Sequence, residues 1–293
     1  MLPTPCTSHV SFDTIYEPSE DSYLFLDTLS SPSESSWLSH RFNNNHLADE
    51  HEPSGRPQET SPAPLVVEVG TGSGVVLGFV AANSLEIFGR RDVLTLGVDV
   101  NRNACVATQE TVQKAICERQ SPNTDNNTSI PGPRPRPRPQ TVYLSSVIGD
   151  LTSSIRPRSV DVLLFNPPYV PTEELPRVPS ATEEGEEETD LASLTRAEKF
   201  ERESYFLSLT YAGGKDGMET TDRLIGEIAT LLDPLRGVAY VLLCAQNRPD
   251  QVKQRIRDWG HGWRAESVGN SGMQAGWEKL VIVRIWRDLT GDI

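Results

Sequence analysis

At 293 residues the chain has room for one large α/β domain or two small ones, and an apolar share of 37% with 22 prolines points to an ordinary core broken by insertions. A net charge of −14 repels nucleic-acid phosphates over most of the surface, which disfavours duplex DNA as the main partner. The apolar runs, such as 238–245, are too short to span a bilayer and argue against a membrane role.

In chain order, the first strand is predicted over 65–69, followed by a Gly-rich turn and a helix over 75–85. A strand over 93–98 and a helix over 102–118 come next, then a short strand over 141–144 and a strongly apolar one over 161–165. The helix predicted over 221–232 carries Leu224, Ile225, Ile228, Leu231 and Leu232 on one face. A buried strand over 237–245, a helix over 251–259 and an antiparallel pair, 265–268 with 279–286, complete the pattern. Alternating β and α predicts an α/β fold: a mostly parallel sheet with helices on both faces, closed by a C-terminal hairpin. Residues 1–293 read as a single domain with three disordered insertions. The stretch 30–64 is rich in Ser, Asn, Glu, His and Pro, with no sustained period; 119–140 ends in alternating Pro and Arg, which favours polyproline II. The stretch 171–190 carries eight acidic residues and one arginine, half of the net charge, and is expected to stay solvated.

The residues that carry chemistry fall at the carboxyl ends of these strands, where ligands bind in open parallel sheets. Glu68-Val69-Gly70-Thr71-Gly72-Ser73-Gly74 follows the first strand directly. Its spacing differs from the G-x-G-x-x-G of dinucleotide binders, and the acidic residue before the first glycine disfavours a pyrophosphate. A cationic ligand such as S-adenosylmethionine suits it better. Asp99, closing the second strand, is placed to accept from both ribose hydroxyls, or to cap the helix that begins near Asn101. Asp150, after the third strand, could take the adenine amino group. The fourth strand stops in Asn166-Pro167-Pro168-Tyr169, where an amide carbonyl and a proline-flanked backbone carbonyl can accept from one planar NH2 group while the tyrosine ring covers its face. The plain alternative is a strand-to-loop exit built from common turn residues.

Taken in this order, Glu68 with its glycines, Asp99, Asp150 and Asn166-Pro167-Pro168-Tyr169 resemble the class I S-adenosylmethionine-dependent methyltransferases, a Rossmann-like fold. The N-terminal run Tyr16-Glu17-Pro18-Ser19-Glu20-Asp21-Ser22 is similar to the opening segment of the eukaryotic and archaeal HemK-like glutamine N5-methyltransferases. Tyr211-Ala212-Gly213-Gly214-Lys215-Asp216-Gly217 and Gln274-Ala275-Gly276, with Glu278 and Leu280, resemble two further motifs of that family. The resemblance implies transfer of a methyl group to the glutamine of the Gly-Gly-Gln motif in class I translation termination factors. It implies that Ser22, Glu68, Gly70, Gly72, Asp99, Asp150, Leu151 and Asn166 hold the cofactor. Asn166, Pro167 and Tyr169 would then hold the acceptor. It also implies a small zinc-binding activator subunit, forming a heterodimer along the strand near 141–145.

An adenine-N6 methyltransferase acting on DNA or RNA would share the chemistry and the Asn-Pro-Pro-Tyr motif, but no broad basic face is visible. A nicotinamide dehydrogenase would need G-x-G-x-x-G. A scaffold using only its edge strand would not need the site residues. Cys6, Cys105, Cys117 and Cys244 are scattered, so neither a disulfide framework nor a metal site in this chain is expected. With no signal-peptide pattern at its start, the chain reads as soluble and cytoplasmic, the nucleus being the other option.

Overall fold

A computed structural model describes residues 2–43, 61–121, 140–178, 194–272 and 279–288. The strands are β1 (Leu65–Val69), β2 (Leu94–Asp99), β3 (Val142–Ile148), β4 (Val162–Phe165), β5 (Val238–Cys244), β6 (Trp263–Asn270) and β7 (Leu280–Arg287). They form one sheet in the order β3-β2-β1-β4-β5-β7-β6, parallel except that β7 runs antiparallel to both β5 and β6. All four residues of β4 and all seven of β5 are buried, the near-continuous apolar pattern of strands covered on both faces. Successive side chains of β1 point to opposite layers: Val66 joins one core cluster, while Val67 and Val69 join the other.

The helices are α1 (Glu20–Leu29), α2 (Pro32–Asn43), α3 (Val75–Ala82), α4 (Ser84–Phe88), α5 (Arg102–Gln120), α6 (Arg196–Tyr211), α7 (Glu219–Leu231) and α8 (Pro249–Arg257). One core layer packs α1 to α5 on the sheet, and the other takes the apolar stripes of α7 and α8. From β1 the chain winds outward through β2 to β3, then returns to the far side of β1 as β4. That reversal opens a crevice at the carboxyl ends of β1 and β4, where Val69 lies beside Phe165. The expected fold and hairpin are therefore present, with boundaries shifted by a few residues. The single helix expected over 75–85 is broken at buried Asn83, whose side-chain amide donates to the Phe79 carbonyl at 2.9 Å.

Three helices depart from the sequence reading; the first, α1, falls in the N-terminal run that was read as a motif and not as a helix. Residues 32–43, assigned to an insertion, form α2, with Leu38 and Phe42 fully buried. The segment lacks a long apolar stripe because polar partners also hold it. Glu34 is buried against the Arg284 guanidinium at 2.9 Å and accepts from the Tyr240 hydroxyl at 2.9 Å, while Trp37 and Trp286 flank Arg284 at 4.1 and 4.5 Å. Helix α6 lies in a stretch that no periodicity marked. Only Phe206 of its residues is buried, and it starts on a capping box between Thr195 and Glu198. The remaining parts of the three proposed insertions, 44–60, 122–139 and 179–190, lie outside the described residues, as do Gln274, Ala275, Gly276 and Glu278.

Candidate active site

The Gly-rich turn leaves β1 with the Gly70 amide bonded to the Val98 carbonyl at 2.8 Å. Gly74 starts α3 at φ 75°, and a Cβ there would stand 2.6 Å from the Thr108 Cα, so only glycine lets α3 lie against α5. Glu68 is buried behind the turn, where it accepts from the Leu77 amide at 2.9 Å. Burial pushes its carboxyl well above the ordinary range; the Leu77 amide opposes that shift and Asp99 adds to it. Asp99 accepts from the Gly72 amide at 2.9 Å and the Asn101 amide at 2.8 Å, which ties the turn to the start of α5. Its pKa is raised by burial against the pull of those amides. The α5 cap is Asn101, whose side chain accepts from the Asn103 amide at 2.9 Å, so Asp99 is not the cap.

Beyond β3, Asp150 pairs with Arg223 of α7 at 2.5 Å, and Thr152 donates to Glu227 one helical turn further along. Between these two anchors Leu151 is buried at φ 52°, a left-handed conformation costly for a leucine. Beyond β4, the Asn166 Nδ2 donates to Asp21 Oδ2 at 3.2 Å, while Asn166 Oδ1 is buried without a hydrogen-bond partner. The chain before α1 passes over the same crevice, held by the Asn101 side chain donating to the Thr14 carbonyl at 2.8 Å.

These elements enclose one cleft with about 1240 Å³ of space free of protein atoms, its open mouth included. Ser22, Glu68, Gly70, Gly72, Asp99, Asp150, Leu151, Asn166 and Pro167 all line it. Tyr169 does not. Its partly buried ring packs on the core cluster beneath α1 to α5, while Pro168 and Phe206 are among the residues that line the cleft. Asp21, Arg223 and Phe206 line the cleft without having been singled out. Asp21 stood inside the quoted N-terminal motif, and an acidic residue in a first helical turn was its only signal. Arg223 and Phe206 gave none, because their roles arise from packing between elements far apart in sequence.

Chemically the cleft is acidic, with Asp21, Asp99 and Asp150 against one cation, Arg223, among its described lining residues, while burial favours the neutral form of Glu68. A glycine turn, a carboxylate at the end of β2 and an acidic wall fit a ligand with a ribose diol and positive charge. The unpartnered Asn166 oxygen fits an N–H donor. Sheet order, antiparallel β7 and the placement of these motifs agree with the resemblance to class I methyltransferases drawn from the sequence.

The relatives agree. The chain is 27% identical over 291 residues to the mouse (Mus musculus) protein named Methyltransferase HEMK2, covering 97% of this chain and 96% of that one. It is 26% identical over 293 residues to the Schizosaccharomyces pombe eRF1 methyltransferase catalytic subunit mtq2, covering 98% and 96%. It is thus a near-full-length homologue of these methyltransferases. Among solved structures, that of the E. cuniculi Mtq2-Trm112 complex, responsible for methylation of the eRF1 translation termination factor, superposes with a TM-score of 0.47 at 20% identity, over 94% of this chain and 99% of that one. No family model matches the chain.

Proposed function

We propose that this protein transfers the methyl group of S-adenosylmethionine to the side-chain nitrogen of the glutamine in the Gly-Gly-Gln motif of a class I translation termination factor. It would work in the cytoplasm as the catalytic half of a heterodimer with a small zinc-binding activator. The observation that carries this reading is the buried Asn166 Oδ1, an acceptor without a partner at the end of a fully buried strand. A buried unpaired acceptor costs stability, and a substrate NH2 group would satisfy it. The termination factor is supported by what the S. pombe relative is named for.

The cofactor, when bound, supplies an electrophilic methyl group on a sulfonium. Asp99 and the turn from Gly70 to Gly72 would hold its ribose and amino-acid parts, and Asp150 with Leu151 its adenine. Asn166 Oδ1 and the Pro167 carbonyl would accept the two amide hydrogens of the glutamine. The pair of acceptors fixes the plane of the NH2 group and so aims the face of the nitrogen. An amide nitrogen is a weak nucleophile because its lone pair is delocalised; fixed orientation and two acceptors for its hydrogens favour the geometry in which that pair is released. The nitrogen loses one N–H proton to solvent as it gains the methyl carbon, leaving the sulfonium as a neutral thioether. The activator would add to the β3 edge, where Val142 and Leu144 are about half exposed, at 48% and 50%. A bare apolar edge is a liability until another chain covers it.

The test is to co-express the chain with the activator and incubate it with labelled cofactor and a Gly-Gly-Gln termination factor. The methyl group is then located by mass spectrometry. Methylation of that glutamine supports the reading; label in DNA or RNA and none in protein overturns it.

A further inference from the structure

A side-chain amide is nearly symmetric in shape, so its oxygen and nitrogen exchange places at little steric cost, and the neighbours' hydrogen bonds decide which way it points. For Asn166 the choice is decisive. With Oδ1 toward the cleft it accepts an N–H; turned over, it would present two donors to a group that is itself a donor. One described neighbour bears on this choice. Asp21 is 3% exposed, and its Oδ2 takes the Asn166 Nδ2 at 3.2 Å. The carboxylate is itself held: its Oδ1 takes the Ser22 amide at 2.6 Å, the Ser19 hydroxyl at 3.2 Å and the Ser22 hydroxyl at 3.3 Å. An ionised carboxylate accepts only, so a turned-over Asn166 would set two buried acceptors against each other.

We infer that Asp21 is a positioning residue for methyl transfer, fixing the Asn166 amide with its oxygen toward the acceptor nitrogen. The inference rests on the proposed role of Asn166. Asp21 acts through Asn166 and needs no contact with the acceptor. Its charge also polarises the Asn166 amide and strengthens Oδ1 as an acceptor. The sequence gives no route to this pairing, since the two residues lie 145 positions apart.

The inference predicts a change of sign between two backgrounds. In the full chain with its activator, Asp21→Asn removes the acceptor-only neighbour; kcat falls several-fold and cofactor affinity by calorimetry stays within about twofold. Asn166→Asp alone sets two carboxylates side by side and loses most activity. Asp21→Asn added to Asn166→Asp remakes the bond with reversed polarity, an amide at 21 donating to a carboxylate at 166, and raises kcat at least about tenfold over Asn166→Asp. A side chain that binds the cofactor would lower activity on both backgrounds, and one that only supports the fold would restore the melting temperature of Asn166→Asp without its kcat. The inference is overturned if the double variant is no faster than Asn166→Asp. It is also overturned if Asp21→Asn weakens cofactor binding more than about tenfold with kcat intact, or if neither Asp21→Asn nor the double variant folds. Should the wild type methylate no glutamine, the proposed function fails on its own, and the same four proteins are compared on an adenine acceptor, whose NH2 poses the same orientation test.

Discussion

Glu68 carries opposing demands on one carboxyl group. Buried behind the glycine turn, it is neutral well above the ordinary carboxylate range, yet it anchors the start of α3 through the Leu77 amide. In the unfolded chain it ionises near the usual 4.5. Between that value and its raised folded value the native state holds the extra proton, so stability from this group is full at low pH and lost as pH rises. Glu68→Gln keeps an acceptor for Leu77 without a titration. Its urea midpoint relative to wild type should therefore climb as pH rises above the usual 4.5, and a difference flat with pH would contradict the burial argument. Asn166→Ala, by contrast, should abolish transfer while calorimetry finds cofactor binding largely intact. At this scale much of the site was legible, because the motifs sit at strand ends and strands announce themselves by apolar runs. The place of the Tyr169 ring was not legible for a physical reason: the motif fixes where the chain leaves the sheet, and neighbouring packing decides where a ring goes.

Helix α7 bridges the two ends of the cleft. At its start, the 213–217 loop presses on the backbone beyond Asn166: a Cβ at Gly213 would stand 2.5 Å from the Pro168 carbonyl oxygen, and one at Gly217, at φ 68°, would overlap that of Tyr169. Further along, Arg223 and Glu227 grip the loop that holds Leu151 in its strained conformation. Arg223→Ala should therefore weaken cofactor binding several-fold by loosening Asp150 and Leu151, with little change in melting temperature, because the Arg223 ion pair is partly exposed. An unchanged affinity would show that the clamp does not shape the cofactor site. Helix α2 behaves in the opposite way. Glu34→Ala leaves Arg284 buried without its partner and should cost roughly 3–5 kcal/mol in urea unfolding. A loss below about 1 kcal/mol would mean that Glu266 and the two tryptophan rings suffice for Arg284. The strands, α7 and α8 were legible from period and apolar content. Helices α2 and α6 were not, since Glu34 faces the core as an ion pair and α6 buries only Phe206, so neither shows a clean apolar stripe.

The whole molecule is an acidic α/β sheet with its cleft at the switch between β1 and β4 and an apolar edge at β3. The mostly parallel sheet and its closing hairpin followed from the alternation of elements, whereas the strand order and the exposure of Val142 and Leu144 needed the three-dimensional arrangement. Replacing both by lysine should abolish co-purification of the activator while the chain, if it stays folded, still binds cofactor. The central claim is that the Asn166 oxygen awaits the side-chain NH2 of a glutamine, and the most direct measurement is residue-level mass spectrometry of a Gly-Gly-Gln termination factor after incubation with the heterodimer and labelled S-adenosylmethionine. The account predicts one methyl group on the glutamine side-chain nitrogen with wild type and none with Asn166→Ala. Equal labelling by the two proteins, or label confined to nucleic acid, would contradict it.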